Sequence, residues 1–142
     1  MDNKIVAFCC ENSALQAAAA VTDPAVLEAV DIVPLPCTGK VEIGLVLKCL
    51  EQGKAGVLVL GCPVDNCKYL IGSTRARKRI LATKKLLKEA GVNEERVHMD
   101  FVSSVDAPKF ERIVRAMQAR LAATPSEAAA AAPATAAKGG AK

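Results

Sequence analysis

Aromatic side chains are scarce in this 142-residue chain: they make up 3% of it, and there is no tryptophan. Phe8, Tyr69, Phe101 and Phe110 are the whole set. A surface that stacks nucleotide bases needs several exposed rings, so no single-stranded nucleic acid is expected as a partner. A strong excess of one charge is also missing. The formal charge is +4, and Lys138, Lys142 and Glu127 supply +1 of it, which leaves too little for duplex DNA. No apolar run reaches the roughly 20 residues that span a bilayer, so no membrane is expected either. There is one histidine, His98. Without a second histidine or a serine paired with a base, acyl transfer and Cys–His catalysis have no support. The turns after the first and third apolar segments lack Gly-x-Gly-x-x-Gly and Walker patterns, which disfavours nucleotide or flavin binding. The start, Met1-Asp2-Asn3-Lys4, has no charged n-region or small-residue cleavage site, so a cytoplasmic protein is expected.

What is present is a good core. Hydrophobic residues make up 51% and charged residues 24%, the balance of one globular domain. Four segments read as strands: Lys4 to Cys9, Asp31 to Leu35, Ala55 to Leu60 and Arg96 to Val102. The first three are nearly unbroken apolar runs, as strands covered on both faces require. Helical patterns separate them: Asn12 to Val21, Val41 to Gly53, Ser73 to Ala90 with Gly91 as its C-cap, and Asp106 to Ala122 with Asp106 as its N-cap. The alternation predicts an α/β fold: a four-stranded parallel sheet flanked by helices, in the flavodoxin-like order 2-1-3-4. The domain is expected over 1–123. The Ala/Pro-rich stretch 124–142 is expected to be a disordered tail.

Cysteine is the unusual component. There are six: Cys9, Cys10, Cys37, Cys49, Cys62 and Cys67. In a cytosolic chain with a full core, such a set points to metal binding or catalysis before disulfides. In the order 2-1-3-4, Cys10, Cys37 and Cys62 end the first three strands at a shared edge, and Cys67 lies in the loop that follows. That edge is where open α/β sheets bind ligands. Four thiols suit structural zinc or an iron–sulfur cluster. The loop Gly61-Cys62-Pro63-Val64-Asp65-Asn66-Cys67 lacks the second matching pair of a zinc knuckle, and its spacing is not that of a Cys-x-x-Cys redox site. Backbone N–H groups near Gly39, Gly61 and Asn66 are candidate donors to sulfur. Cys49, in mid-helix, reads as a packing residue. Cys9 and Cys10 are adjacent on a strand, so only one of them faces the crevice. The run Arg75-Ala76-Arg77-Lys78-Arg79 opens a helix just beyond Cys67, where it either faces solvent or serves partner docking and charge compensation.

The segments Ile5-Val6-Ala7-Phe8-Cys9-Cys10-Glu11-Asn12-Ser13, Leu35-Pro36-Cys37-Thr38-Gly39-Lys40 and Gly56 to Tyr69, with Gly72, Arg75 and Lys78-Arg79, carry a resemblance. Together they resemble the delta subunit of methyl-viologen-reducing (F420-non-reducing) hydrogenase, over about residues 4 to 122. The resemblance implies an electron-transfer iron–sulfur subunit of an oxidoreductase complex, without a catalytic site of its own. It would hold a 2Fe-2S cluster on Cys10, Cys37, Cys62 and Cys67. It would relay electrons between a hydrogenase or other dehydrogenase and the flavin-containing A subunit of a heterodisulfide reductase-like complex. The chain departs from the family at Ser13, where many relatives have a second cysteine, and at the additional Cys9. The alternative reading is a zinc-stabilised or metal-free adaptor whose thiols are structural.

Overall fold

The computed structural model describes residues 4–63 and 72–123. Its strands are β1 (Ile5–Cys10), β2 (Val30–Leu35), β3 (Gly56–Gly61) and β4 (Val97–Phe101). The helices are α1 (Ala14–Ala19), α2 (Pro24–Ala29), α3 (Ile43–Glu51), α4 (Gly72–Glu89) and α5 (Ala107–Ala123). All strand pairs are parallel, in the order β2-β1-β3-β4. The expected α/β fold and strand order are therefore present. The expected tail at 124–142 lies outside the described residues.

Strand periodicity splits the core in two. Ile5, Ala7 and Cys9 of β1, with Leu58 and Leu60 of β3, pack against Ala17 and Val26 of α1 and α2 and against Phe110, Val114 and Met117 of α5. Val6, Phe8, Val57 and Val59 face the other way, onto Val46 and Leu50 of α3 and Ala76, Ile80 and Leu87 of α4. The central strands β1 and β3 are buried at every position, which is why their sequences do not alternate. Strand β2 lies at an edge. Pro34, which has no N–H to give to a ladder, is tolerated there opposite Cys9.

One local expectation needs correction. The first helix is shorter than Asn12 to Val21, and a separate helix, α2, follows it. Asp23-Pro24 is the cause: the Asp23 carboxylate accepts from the Ala25 N–H at 3.0 Å, and Pro24 suits the first helical position. On α4, Leu81 and Leu86 are exposed, and Thr83 takes the buried position between Ile80 and Leu87. The Thr83 hydroxyl donates to the Arg79 carbonyl at 2.8 Å, so its burial leaves no orphan. The expected caps are present: Gly91 has a φ of 78°, and Asp106 accepts from the Lys109 N–H at 3.1 Å. Among the described residues, no helix is long and apolar enough to cross a membrane.

Candidate functional site

Three strands end on cysteine or just before it. Cys10 closes β1, Cys37 follows β2 by two residues, and Cys62 follows β3 directly. Because the strands are adjacent and parallel, these ends share one edge, and the three side chains form a small buried cluster of their own. They are 2%, 6% and 3% exposed. Cys67, the fourth expected member, lies outside the described residues, as do Asp65, Asn66 and Tyr69.

The pleat separates the adjacent pair. Cys10 joins Cys37 and Cys62, whereas Cys9 belongs to the core beneath α1, α2 and α5. The Cys9 thiol donates to the Ala7 carbonyl at 3.7 Å, and burial, aided by the neighbouring Cys10, pushes its pKa up to about 12. A thiol held in that way is a packing group. Cys49 on α3 is half-buried against the second core layer, and burial raises its pKa as well. His98 stands on β4, paired with Leu58 and outside the cysteine cluster. Burial and then the charge of Arg120 lower its pKa.

The loop that carries Cys37 is fixed on both sides. Within it, the Gly39 N–H donates to Cys37 Sγ at 3.4 Å. Gly39 also lies against the first residue of α4. A Cβ built on it would stand 3.1 Å from the Gly72 Cα and 3.3 Å from the Gly72 oxygen. Arg79, one helical turn beyond Arg75, donates through Nη1 to the carbonyls of Gly39 and Val41, the latter at 2.9 Å. From sequence, Arg79 belongs to a basic run that either faces solvent or serves partner docking and charge compensation. The structure shows it holding the cysteine loop instead, while Arg75, Arg77 and Lys78 stay exposed. The start of α4 and this loop border a cavity of about 640 Å³ lined by Pro36, Cys37, Gly39, Lys40, Glu42, Gly72, Arg75 and Arg79.

Two hydroxyl residues complete the edge: Ser13, noted from sequence only as the position of a second cysteine in many relatives, and Thr38, which sequence reasoning had not singled out. The side-chain oxygens of Ser13, three residues beyond Cys10, and of Thr38, next to Cys37, are buried without a hydrogen-bond partner. An orphaned buried hydroxyl costs about 1–3 kcal/mol, and here two occur on the loops of two clustered cysteines. Among the described residues, no three His, Cys, Asp or Glu side chains form a site for a metal ion. Among the described residues, the buried side chains gathered at this edge are the three thiols, with hydroxyl and amide hydrogens on the adjoining turns. That chemistry suits a soft, sulfur-ligated centre with sulfur atoms to accept those hydrogens.

Comparison with known proteins identifies the family. A family model described as "Methyl-viologen-reducing hydrogenase, delta subunit" matches residues 5–124. The chain is 37% identical over 123 residues to the iron-sulfur D subunit of the F420-non-reducing hydrogenase vhu of Methanocaldococcus jannaschii, covering 85% of this chain and 92% of that one. It is 38% identical over 121 residues to the corresponding protein of Methanopyrus kandleri, covering 84% and 92%. A shorter similarity, 32% over 78 residues, is to the A subunit of the ferredoxin:CoB-CoM heterodisulfide reductase of Methanosarcina mazei, covering 55% of this chain and 10% of that protein. Cysteine loops at the ends of three parallel strands, and a match over nearly the whole described fold, place the chain in the methyl-viologen-reducing hydrogenase delta-subunit family.

Proposed function

We propose that the chain is an electron-transfer iron–sulfur subunit. In this reading Cys10, Cys37, Cys62 and Cys67 hold a 2Fe-2S cluster, and electrons pass between a hydrogenase or other dehydrogenase and the A subunit of a heterodisulfide reductase-like complex. The observation that carries the reading is the separate buried cluster of Cys10, Cys37 and Cys62 at the carboxyl edge of the sheet. The relatives' names, which specify iron–sulfur subunits of a hydrogenase, support the class of cofactor. A stretch like this chain within a reductase of that kind supports a place beside its A subunit.

Bound there, a cluster supplies one-electron redox chemistry. The chain's own residues give it a setting. The three described cysteines would offer sulfur ligands from three neighbouring strand ends, and the Gly39 N–H donates to Cys37 Sγ. The amino end of α4 lies against the same loop and adds the positive end of a helix dipole. Exposed Arg75 on α4 and Lys40 on the loop present cations at the cavity, where an acidic partner surface would dock.

Anaerobic purification followed by visible absorption, with iron and acid-labile sulfide assays, tests the reading. A brown protein with two irons and two sulfides per chain is expected. A colourless protein carrying one zinc would establish the adaptor alternative instead.

A further inference from the structure

The polar groups on the Cys10 and Cys37 loops divide into two kinds. Their backbones are tied: the Ser13 N–H donates to the Cys10 carbonyl at 3.1 Å, and the Thr38 carbonyl accepts from the Val41 N–H at 3.0 Å. Their hydroxyls are not. Ser13 is 3% exposed and Thr38 1% exposed, and neither side-chain oxygen has a partner. A hydroxyl rotates freely to reach an acceptor and finds one in nearly every buried site, so an orphan calls for a reason. One orphan is a local defect; two on neighbouring cysteine loops point to a shared acceptor. Among the described residues the other orphaned side-chain atom is Arg120 Nη1, on α5.

We infer that Ser13 Oγ and Thr38 Oγ1 donate hydrogen bonds to sulfur of the cluster held at Cys10 and Cys37, and thereby stabilise its reduced form. The inference rests on the iron–sulfur reading above. Thiolate and bridging sulfide carry negative charge and accept from O–H and N–H groups. Reduction adds one electron to the centre and strengthens each such bond, so each donor raises the reduction potential. With the Gly39 N–H already on Cys37 Sγ, the edge would supply one amide and two hydroxyl donors. All three sit in loops anchored to the sheet or to α4, so little reorganisation accompanies electron transfer.

The test uses Ser13→Ala, Thr38→Val and the double variant of the full chain, each measured with the cluster bound and removed. In an EPR-monitored redox titration each single variant should lower the potential, and the double variant should lower it further. Pulsed EPR in H₂O and D₂O should show fewer exchangeable protons coupled to the reduced centre. In the cluster-free protein, urea unfolding should show equal or higher stability for both variants, because an unpartnered buried hydroxyl has been removed. Ordinary structural hydroxyls would show the reverse: cluster-free variants destabilised, with potential and proton couplings unchanged. That pattern overturns the inference while leaving the iron–sulfur reading intact. A wild-type protein that never assembles a cluster overturns both, which separates the two failures. Should Thr38→Val fold poorly, Thr38→Ser keeps the donor and should keep the wild-type potential; a lowered potential in that variant counts against the inference.

Discussion

The two edges of the sheet use polar atoms in opposite ways. At the amino edge, Asp31 takes Lys54 at 2.9 Å and Lys4 at 3.4 Å, and the Ala55 N–H donates to the Lys4 carbonyl. Arg96, only 5% exposed, donates to the carbonyls of Ala55 at 3.2 Å and Lys54 at 2.9 Å. Charges there find opposite charges or carbonyls inside the chain. At the carboxyl edge, three buried thiols gather, and among the described residues two buried hydroxyls on the adjoining turns have no partner. One edge is complete as folded and holds the strands together. The other, among the described residues, leaves two buried hydroxyls unpaired beside three clustered thiols.

If that contrast is right, substitutions at the amino edge should cost stability and spare the chromophore. Arg96→Met would leave two part-buried carbonyls unanswered and should cost the most, about 3 kcal/mol in urea unfolding, with the visible spectrum unchanged wherever the protein is folded. At the carboxyl edge, Arg79→Gln should cost about 2 kcal/mol by releasing the Gly39 and Val41 carbonyls, and it should also speed hydrogen exchange of the Gly39 amide. A stability loss without faster Gly39 exchange would show that Arg79 does not hold the cysteine loop. Asp31→Asn should cost only about 0.5 kcal/mol and fade in high salt, since both of its ion pairs are partly exposed and screened.

The smallest effect concerns pH. His98 titrates below its ordinary 6.5 because of burial and of Arg120 and Lys84, with Asp100 and Glu95 opposing them. The unfolded chain therefore binds the proton first, and stability should fall as pH drops through 6.5 toward the lowered native value. His98→Gln should flatten that part of the stability curve without moving the potential of the centre. An unchanged slope would show that His98 does not link folding to pH.

Much of this architecture is legible from residue order. Unbroken apolar runs revealed the central strands, and the parallel order then brought Cys10, Cys37 and Cys62 to one edge. Asp106 and Gly91 marked their helix ends as their side-chain and backbone chemistry requires. What was hidden depends on packing. Asp23-Pro24 carried a start signal for α2, but six residues hold too little periodicity to show a helix. Arg79 reads as one more cation in a basic run, yet its place beside Ala76 and Ile80 turns it toward the cysteine loop. Ser13 and Thr38 look like ordinary turn residues, because neither burial nor the lack of a partner is written in a hydroxyl's neighbours along the chain. The Cys9–Cys10 pair sits between these cases. Alternation alone said that one residue faces the crevice, and the core that forms on each side shows which.

That pair offers the most direct test of the central claim, that the carboxyl-edge thiols hold the redox centre. Cys9→Ala and Cys10→Ala delete the same atoms from adjacent residues, and EPR of the dithionite-reduced proteins compares them. A wild-type signal with lowered stability is expected for Cys9→Ala, and a lost or altered signal for Cys10→Ala. A lost signal in Cys9→Ala beside an unchanged one in Cys10→Ala would contradict the claim.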